Sequence, residues 1–272
     1  MKKLLRSSVN ALPSAARGWI RHVPGVAEFQ RWLVNRVLSG EPFLHTINSG
    51  PAAGLRFEVT LPLDKAIWAG TYESQFADEI SRGIRAGDVC YDIGGYRGYM
   101  AGTMALAGAA RVLVFEPLPL NQYALRRLCD LNPGLNVELK PIAIGHIDAS
   151  IRLRVMADAS MGKLVTSTFQ VDAESKGEIE VAVRSLDSMV QRQEIPPPQV
   201  IKIDVEGAEL EVLQGAANTL SAWRPRIFLE AHSASLEEAC VRELAQRGYN
   251  LRRLESNANA EEDTRHLIAV AR

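Results

Sequence analysis

A glycine-rich loop, Asp92-Ile-Gly-Gly-Tyr-Arg-Gly98, follows a short apolar segment of the sequence. Gly94, Gly95 and Gly98 allow the backbone to turn tightly and to approach a ligand closely. The dinucleotide fingerprint Gly-x-Gly-x-x-Gly brings a pyrophosphate to a helix N-terminus, whereas the pattern here is Asp-x-Gly-x-x-x-Gly. Asp92 would repel a pyrophosphate but attract the sulfonium and ammonium charges of S-adenosylmethionine. Arg97, in the same loop, could instead attract an anion. The carboxylate of Asp92 favours S-adenosylmethionine as the ligand.

An acidic residue, Glu116, ends the next apolar segment, about twenty residues beyond the glycines. A carboxylate at this position can accept hydrogen bonds from both hydroxyls of a ribose, in either class of nucleoside cofactor. Pro117 favours an extended backbone at Glu116 and so ends the strand there. Glu116 is therefore the candidate ribose-binding residue.

A third group of polar residues lies at the ends of two later apolar segments. Asp204 and Glu206 follow one segment, where each could act as a general base or orient a substrate hydroxyl. His232 follows the other, and a neutral histidine could accept a proton near neutral pH. Lys202, two residues before Asp204, is predicted to pair with Glu230. These residues form the candidate catalytic group.

The same side chains leave a metal site open as an alternative. Oxygen ligands suit Mg²⁺, and Asp204, Glu206, Glu230 and His232 could supply them. Metal binding is the less favoured interpretation. Methyl transfer is an in-line displacement, so the protein mainly has to align the two reactants and exclude water. A base is needed only where the acceptor is a weak nucleophile, such as an alcohol.

Short apolar strands alternate with helical segments after residue 88, which predicts βαβ units and a doubly wound, Rossmann-like parallel sheet. Ligands of such sheets bind beyond the carboxyl ends of the strands, where the strand order reverses. The predicted strands are 89–93, 111–116, 137–144, 200–205 and 226–231, and two closing strands are 249–254 and 266–270. The predicted helices are 98–106, 119–131, 210–220 and 236–247.

Two further segments lie outside this alternation. Residues 151–183 form an insertion with an antiparallel pair, 151–156 and 179–183, around a polar stretch, and we expect it on the substrate side. Residues 1–60 are predicted as a basic helical extension of the catalytic domain at 61–272. Such helices can contact anionic membranes, but a solvated cap is the favoured interpretation.

Composition excludes several classes of protein. The 272 residues carry a formal net charge of −1, which does not suit a nucleic-acid-binding protein. Cys90, Cys129 and Cys240 are widely spaced and are predicted to be buried thiols. No segment approaches the roughly 20 apolar residues that span a bilayer. A cytoplasmic protein, with peripheral membrane contact as an alternative, is the expectation.

Taken together, the motifs resemble the FkbM family of S-adenosylmethionine-dependent methyltransferases. The resemblance covers about residues 66–254, and its most specific block is Ile201-Lys-Ile-Asp-Val-Glu-Gly-Ala-Glu-Leu-Glu-Val-Leu-Gln-Gly215. The other motifs, in order, are Trp68-Ala-Gly-Thr-Tyr-Glu73, the glycine loop, Val114-Phe-Glu-Pro117, Ala143-Ile-Gly145, Ser185-Leu-Asp-Ser188 and Leu229-Glu-Ala-His232.

The resemblance implies O-methylation of a sugar, a glycolipid or a polyketide-like natural product, with a small-molecule, glycan or lipid-linked acceptor. It further implies that Tyr72 and Glu73 close over the methionine end of the cofactor and that Ala143 and Ile144 border the adenine. The family pattern of the loop is Asp-x-Gly-Ala-Asn-x-Gly, so Gly95 and Tyr96 are departures from it.

Two other functions compete with this interpretation. A nicotinamide-dependent oxidoreductase shares the sheet and the ribose-binding acid, but it predicts a Gly-x-Gly-x-x-Gly loop that the sequence lacks. A catalytically silent binding module predicts lost cofactor affinity or absent chemistry, and the Tyr96 departure supports it.

Overall fold

The computed structural model describes residues 40–156, 162–164, 175–254 and 265–272. Its strands are β1 (Phe43–Thr46), β2 (Arg56–Val59), β3 (Val89–Ile93), β4 (Arg111–Phe115), β5 (Val137–Lys140), β6 (Ala143–Ile144), β7 (Ala149–Met156), β8 (Gly162–Leu164), β9 (Ser175–Arg184), β10 (Val200–Ile203), β11 (Arg226–Ala231), β12 (Tyr249–Arg253) and β13 (Arg265–Ala271). Its helices are α1 (Lys65–Ala69), α2 (Ser74–Gly83), α3 (Tyr99–Leu106), α4 (Pro119–Leu131), α5 (Leu186–Gln191), α6 (Glu209–Gln214), α7 (Ala217–Trp223) and α8 (Ala234–Gln246).

The main sheet has seven strands, in the order β12-β13-β11-β10-β3-β4-β5. The five strands from β5 to β11 are parallel, and β12 and β13 close the sheet as an antiparallel pair. From β3 the chain runs outward to β4 and β5, and then returns to β10 on the other side of β3. This reversal confirms the predicted doubly wound fold and marks the edge beyond β3 and β10 as the ligand site.

The central sheet is buried on both faces, as parallel sheets are. Along β4, Val112 and Val114 pack in one apolar cluster, with residues of α2, α3 and α4. Leu113 and Phe115 point the other way and pack in a second cluster, with residues of α6, α7 and α8. Alternate side chains of a strand face opposite sides of a sheet, so each strand contributes to both clusters. The two clusters hold the carboxyl ends of the strands in place.

The smaller sheets flank the central one. The predicted antiparallel pair of the insertion is present as β7 and β9, and it is joined by β6 and β8 in the order β6-β9-β7-β8. Strands β1 and β2 form a hairpin whose Phe57 and Val59 belong to the core. The described part of the predicted helical extension is therefore a hairpin. Residues 1–39, for which membrane contact was an alternative, lie outside the described residues.

Two predicted elements were wrong in extent. The predicted strand 137–144 divides into β5 and β6, which belong to different sheets. Pro141, which has no N–H to donate to a strand ladder, lies between them. The predicted helix 210–220 divides into α6 and α7 at Gly215. A Cβ on Gly215 would lie 2.0 Å from the carbonyl oxygen of Gly145, so this close contact requires glycine.

Two further observations concern the cysteines and the membrane. Cys90 and Cys240 are buried free thiols, as predicted, and Cys129 is a half-buried one. Within the described ranges, none of the helices has the length and apolar character needed to cross a membrane.

Candidate active site

A cavity of about 610 Å³ opens at the carboxyl edge of β3, β4 and β10. This volume suits a cofactor-sized ligand. The cavity brings together most of the predicted site residues, namely Tyr72, Gly94, Glu116, Ala143, Ile144, Asp204 and Glu206. Its insertion-side wall includes Ile151, Leu153 and Val183. The remaining predicted residues lie around the cavity rather than on its surface.

The glycine loop is packed tightly against the neighbouring strand ends. Gly94 has φ of 80°, and a Cβ there would lie 1.6 Å from the carbonyl oxygen of Asp204. Only glycine allows this contact. Gly95 packs on Val114, and Gly98 packs on Leu125. Gly95 and Gly98 therefore position the loop on the fold, whereas Gly94 also faces the ligand space.

Tyr96, the departure from the family pattern, adopts the backbone conformation that asparagine tolerates well. Its φ is 47°, in the left-handed region, which is unfavourable for a bulky residue. Its backbone N–H donates to Oε2 of Glu116 at 2.9 Å. The loop therefore contacts the candidate ribose-binding acid despite the substitution.

Glu116 is held by backbone donors and is 4% exposed. Besides Tyr96, the N–H of Leu118 donates to its Oε1 at 2.8 Å. Burial raises the pKa of Glu116 to about 7, although these bonds oppose the shift. A carboxylate oxygen accepts more than one hydrogen bond, so both oxygens keep capacity for a ligand hydroxyl.

Lys202 joins the loop to the candidate catalytic group. Its ammonium donates to Oδ2 of Asp204 and to the carbonyl oxygen of Gly94, both at 2.9 Å, and lies 3.4 Å from Oδ1 of Asp92. Burial lowers the pKa of Lys202, but the Asp204 and Asp92 carboxylates outweigh it and raise the pKa overall. The lysine therefore stays charged.

The predicted pair between Lys202 and Glu230 was wrong. Lys202 of β10 is paired in register with Phe228 of β11, which lies two residues before Glu230. On the other side of β10, Lys202 is paired in register with Asp92 of β3. Glu230 instead lies 3.1 Å from Nε2 of His266. Asp92 is fully buried beneath the loop, so it acts on the cavity through Lys202 rather than by direct contact.

Tyr72 and Glu73 form a linked pair at the side of the cavity. Tyr72 lines the cavity, and its hydroxyl bonds to the Glu73 carboxylate. Burial, together with the negative charges of Glu230 and Asp204, raises the pKa of Glu73 to about 7. Burial likewise raises the pKa of Tyr72, which remains a hydrogen-bond donor.

His232 lies among three carboxylates. Its Nδ1 is 2.8 Å from Oε1 of Glu209, and its Nε2 is 3.6 Å from both Oδ1 of Asp204 and Oε2 of Glu206. Burial lowers the pKa of His232, but Glu209, Glu206 and Asp204 outweigh it and raise the pKa to about 9. The imidazole is therefore mainly protonated near pH 7, in contrast to the neutral proton acceptor that the sequence suggested.

This charge state predicts a pH-dependent contribution of His232 to stability. A histidine whose pKa rises from about 6.5 unfolded to about 9 folded stabilises the protein fully below pH ~6.5, and loses this effect as the pH rises through about 9. The shift corresponds to on the order of 3 kcal/mol. Urea unfolding should show the stability difference between the wild type and His232→Gln shrinking by about this amount from low to high pH.

The matched control for this measurement is His146→Gln, which removes an exposed histidine from the same protein. Because this side chain is exposed, we expect its replacement to change the free energy of unfolding by no more than about 0.5 kcal/mol. A His232→Gln difference that stays constant across the pH range would contradict the protonated imidazole.

Two groups of potential metal ligands lie next to the cavity. Asp204, Glu230 and His232 offer ligand atoms within 4.8 Å of one another, as do Glu73, Glu230 and His266. Lys202 already bonds to Asp204, and His232 is a cation at neutral pH, so positive charges of the protein balance the first group. Magnesium binding stays the less favoured alternative.

Three residues of the site were missed from the sequence. Asp64 lines the cavity and pairs with Arg97 at 2.6 Å. Arg97, which could have attracted an anion, also donates to the carbonyl oxygen of Glu58 in β2, so it is committed to contacts within the fold. Glu209 holds His232, and Glu211 lines the cavity. The alternating acids of Glu209-Leu-Glu211 were a signal for the last two, but acids in the first turn of a helix are common for electrostatic reasons.

A family model for the methyltransferase FkbM domain matches residues 92–261, more than half of the chain. The chain belongs to the FkbM methyltransferase family. The resemblance seen in the sequence is confirmed. Glu116, Asp204 and His232 all lie within the matched range.

Similar proteins extend the comparison. The chain is 32% identical over 135 residues to the hexuronic acid methyltransferase AglP from Haloferax volcanii, a match covering 50% of this chain and 52% of AglP. It is 20% identical to a methyltransferase FkbM from Methylobacillus flagellatus, with a TM-score of 0.49 over 73% of this chain and 51% of that one. It is 12% identical to a precorrin-6Y C5,15-methyltransferase from Geobacter metallireducens, with a TM-score of 0.47 over 72% and 87% of the two chains. The chain thus spans about half the length of the first two.

Proposed function

We propose that this chain transfers a methyl group from S-adenosylmethionine to a hydroxyl group of a sugar or sugar-containing acceptor. The observation that carries the proposal is that Glu116 and Asp204 line one cavity on either side of Gly94. A ribose-binding carboxylate and a candidate base thereby flank the same loop. The hexuronic acid methyltransferase relative supports a sugar acceptor.

The residues of the cavity suit this cofactor. Glu116 presents carboxylate oxygens for the ribose hydroxyls, and Ala143 and Ile144 supply apolar surface for an adenine. Beside Gly94, Lys202 is one cation among the carboxyl groups of Asp204, Asp92 and Glu73, so this side of the cavity keeps a net negative charge that suits the ammonium group. When bound, S-adenosylmethionine supplies an activated methyl group on a sulfonium.

Asp204 is the residue we assign to the acceptor hydroxyl. Lys202 bonds to its Oδ2, which leaves Oδ1 for the hydroxyl. Asp204 would accept the proton that the hydroxyl oxygen releases when the methyl group moves from sulfur to that oxygen and the neutral thioether, S-adenosylhomocysteine, leaves. The His232 imidazolium, 3.6 Å from Oδ1, helps to orient the carboxylate, and Glu206 provides a second acceptor beside it.

The first test is a calorimetric titration with S-adenosylhomocysteine at two pH values, for the wild type and Glu116→Gln. We expect saturable binding by the wild type and about ten- to hundredfold weaker binding by the variant, because hydrogen bonds to a charged acceptor are lost. Because the pKa of Glu116 is about 7, wild-type affinity should fall as the pH drops below about 7. The variant should lack this fall.

The matched control is Glu238→Gln, an exposed glutamate on α8 outside the cavity, which should leave the affinity unchanged. NAD serves as the competing ligand. Saturable binding of NAD would support the oxidoreductase alternative, and binding of neither ligand would support the silent module. Unchanged affinity in Glu116→Gln would remove this residue from the cofactor site.

A further inference from the structure

Three apolar residues of the cavity wall are open to solvent. Leu63 is 86% exposed and Ile147 is 55% exposed, and both line the cavity. Ala66, in α1, is a third exposed residue of the same wall. We call Leu63, Ala66 and Ile147 the apolar rim. Exposed apolar residues that gather at one concave site, rather than being scattered singly, are typical of a surface that contacts another molecule or another segment.

The chain enters the described structure beside this rim. The first described residue is Gly40, and its N–H donates to the carbonyl oxygen of Leu61 at 3.3 Å. Leu61 is two residues before Leu63, and two residues span at most about 7 Å. Residues 1–39 therefore lead away from a point next to the rim. Ten extended residues can reach about 33 Å, which is enough to cross the mouth of a cofactor-sized cavity.

The ten residues at 29–38 have the composition that this rim requires. Their sequence, Phe-Gln-Arg-Trp-Leu-Val-Asn-Arg-Val-Leu, combines six apolar side chains with Arg31 and Arg36 and contains no acidic residue. The only acidic residue from 1 to 39 is Glu28. Apolar side chains suit the rim, and the two arginines give the segment a positive charge.

The charge of the cavity wall is complementary to that of the segment. Among the described residues that line the wall, no lysine or arginine occurs, and the acidic ones are Asp64, Glu116, Asp204, Glu206 and Glu211. The cations that lie against these acids are Arg97, Lys202 and His232. The acids thus outnumber the cations beside them, and a concave acidic surface attracts a basic partner.

We propose that residues 29–38 dock on the apolar rim and cover the mouth of the cavity. Their apolar side chains pack on Leu63, Ala66 and Ile147, and Arg31 and Arg36 face the acidic wall. This contact removes the apolar surface of the rim from water and shields the cavity interior from solvent. The inference goes beyond the proposed function, because it concerns what covers the cavity and not which reaction takes place inside it.

The test is photo-cross-linking in the full-length chain. Leu63→p-benzoylphenylalanine and, separately, Ile147→p-benzoylphenylalanine place a photoreactive group on the rim, and mass spectrometry identifies the peptides joined to it. We expect these peptides to lie within residues 29–38 for both positions. A mixture of ¹⁵N-labelled and unlabelled protein should show that each cross-link joins residues of one chain.

The matched control is Trp223→p-benzoylphenylalanine. Trp223 is 53% exposed and belongs to α7, outside the cavity wall, so it should give no cross-link to residues 29–38. Cross-links from Trp223 to this segment in equal yield would show that the contact is not specific to the rim, and would overturn the proposal.

A second pair of variants tests the contribution of charge. Arg31→Glu combined with Arg36→Glu should lower the cross-linking yield at Leu63 about tenfold, because attraction to the acidic wall becomes repulsion. Arg17→Glu combined with Arg21→Glu makes the same change of charge outside residues 29–38 and should keep the yield. Equal yields for the two double variants would contradict the placement of Arg31 and Arg36.

Three other outcomes would also overturn the proposal. Cross-links from neither rim position to residues 29–38 would exclude the contact. Cross-links between chains alone would assign the rim to a second copy of this chain. Transfer of the cross-links to lipid on addition of phosphatidylglycerol vesicles would assign the rim to a membrane surface. Cross-linking requires no ligand, so its result is independent of the proposed methyl transfer.

Discussion

Replacing Lys202 by methionine is expected to destabilise the fold by roughly 3–5 kcal/mol and to abolish binding of S-adenosylhomocysteine. Lys202 is 3% exposed and is paired with Asp92, which is fully buried, and with Asp204. Methionine preserves the length of the side chain but removes its charge, which leaves the buried carboxylates uncompensated. The bond to the Gly94 carbonyl oxygen is lost as well, so the loop loses its tie to β10.

Urea unfolding and calorimetric titration measure the two effects separately. The double variant Asp92→Asn with Lys202→Met should recover part of the lost stability, because it removes one of the two carboxylates, Asp92 and Asp204, that lose their cationic partner. Lys140→Met removes a lysine paired with Glu138 at the surface, and it should cost no more than about 1 kcal/mol. If the single variant at Lys202 were as stable as the Lys140 variant, this ion-paired centre would not hold the site together.

Lys202 also shows which features of the site the sequence could predict and which it could not. A charged residue inside the apolar segment of β10 is unusual enough to indicate a role. Its partner, however, depends on the order of the strands. The sequence pattern predicted strands β3, β10 and β11 well, but it did not show that β3 lies beside β10. With β3 there, Asp92 is opposite Lys202 in register, whereas Glu230 lies two residues beyond it.

The sequence predicted the position of a site residue correctly where a single segment contains the whole motif. The glycine loop and Glu116 both lie at the ends of single strands, so their places in the fold followed from the strand pattern. The break at Pro141 and the break at Gly215 were missed for different reasons. Pro141 is visible in the sequence and has no N–H for a strand ladder, so the first break was predictable. The glycine is required by contact with Gly145, which lies about seventy residues earlier in the sequence and next to it only in the folded chain.

The charge state of His232 illustrates the same limit. A histidine at a strand end has an ordinary pKa near 6.5, so its protonation near neutral pH depends on its surroundings. Glu206 and Asp204 were visible as neighbours, but Glu209 belongs to the next helix and approaches from the other ring nitrogen. The third carboxylate places the histidine between acids, and this arrangement favours Asp204 over His232 as the proton acceptor.

Replacing Asp204 by asparagine is therefore expected to lower kcat for a hydroxyl acceptor by about 10²–10⁴-fold, the usual contribution of a positioned base. Affinity for S-adenosylhomocysteine should change much less, because Lys202 keeps Asp92 as a partner and the Gly94 loop keeps its bond to the lysine. Single-turnover methylation and calorimetric titration give the two quantities.

Two companion variants identify the acceptor of the proton. Asp130→Asn makes the same substitution on α4, outside the cavity wall, and should retain wild-type turnover. Glu206→Gln should slow transfer less than Asp204→Asn, because Asp204 alone is held by Lys202 at one oxygen and faces His232 with the other. The opposite order would make Glu206 the base. Wild-type turnover in both variants would mean that the acceptor needs no base, as expected for a stronger nucleophile than an alcohol, and sugar O-methylation would then be the wrong reaction.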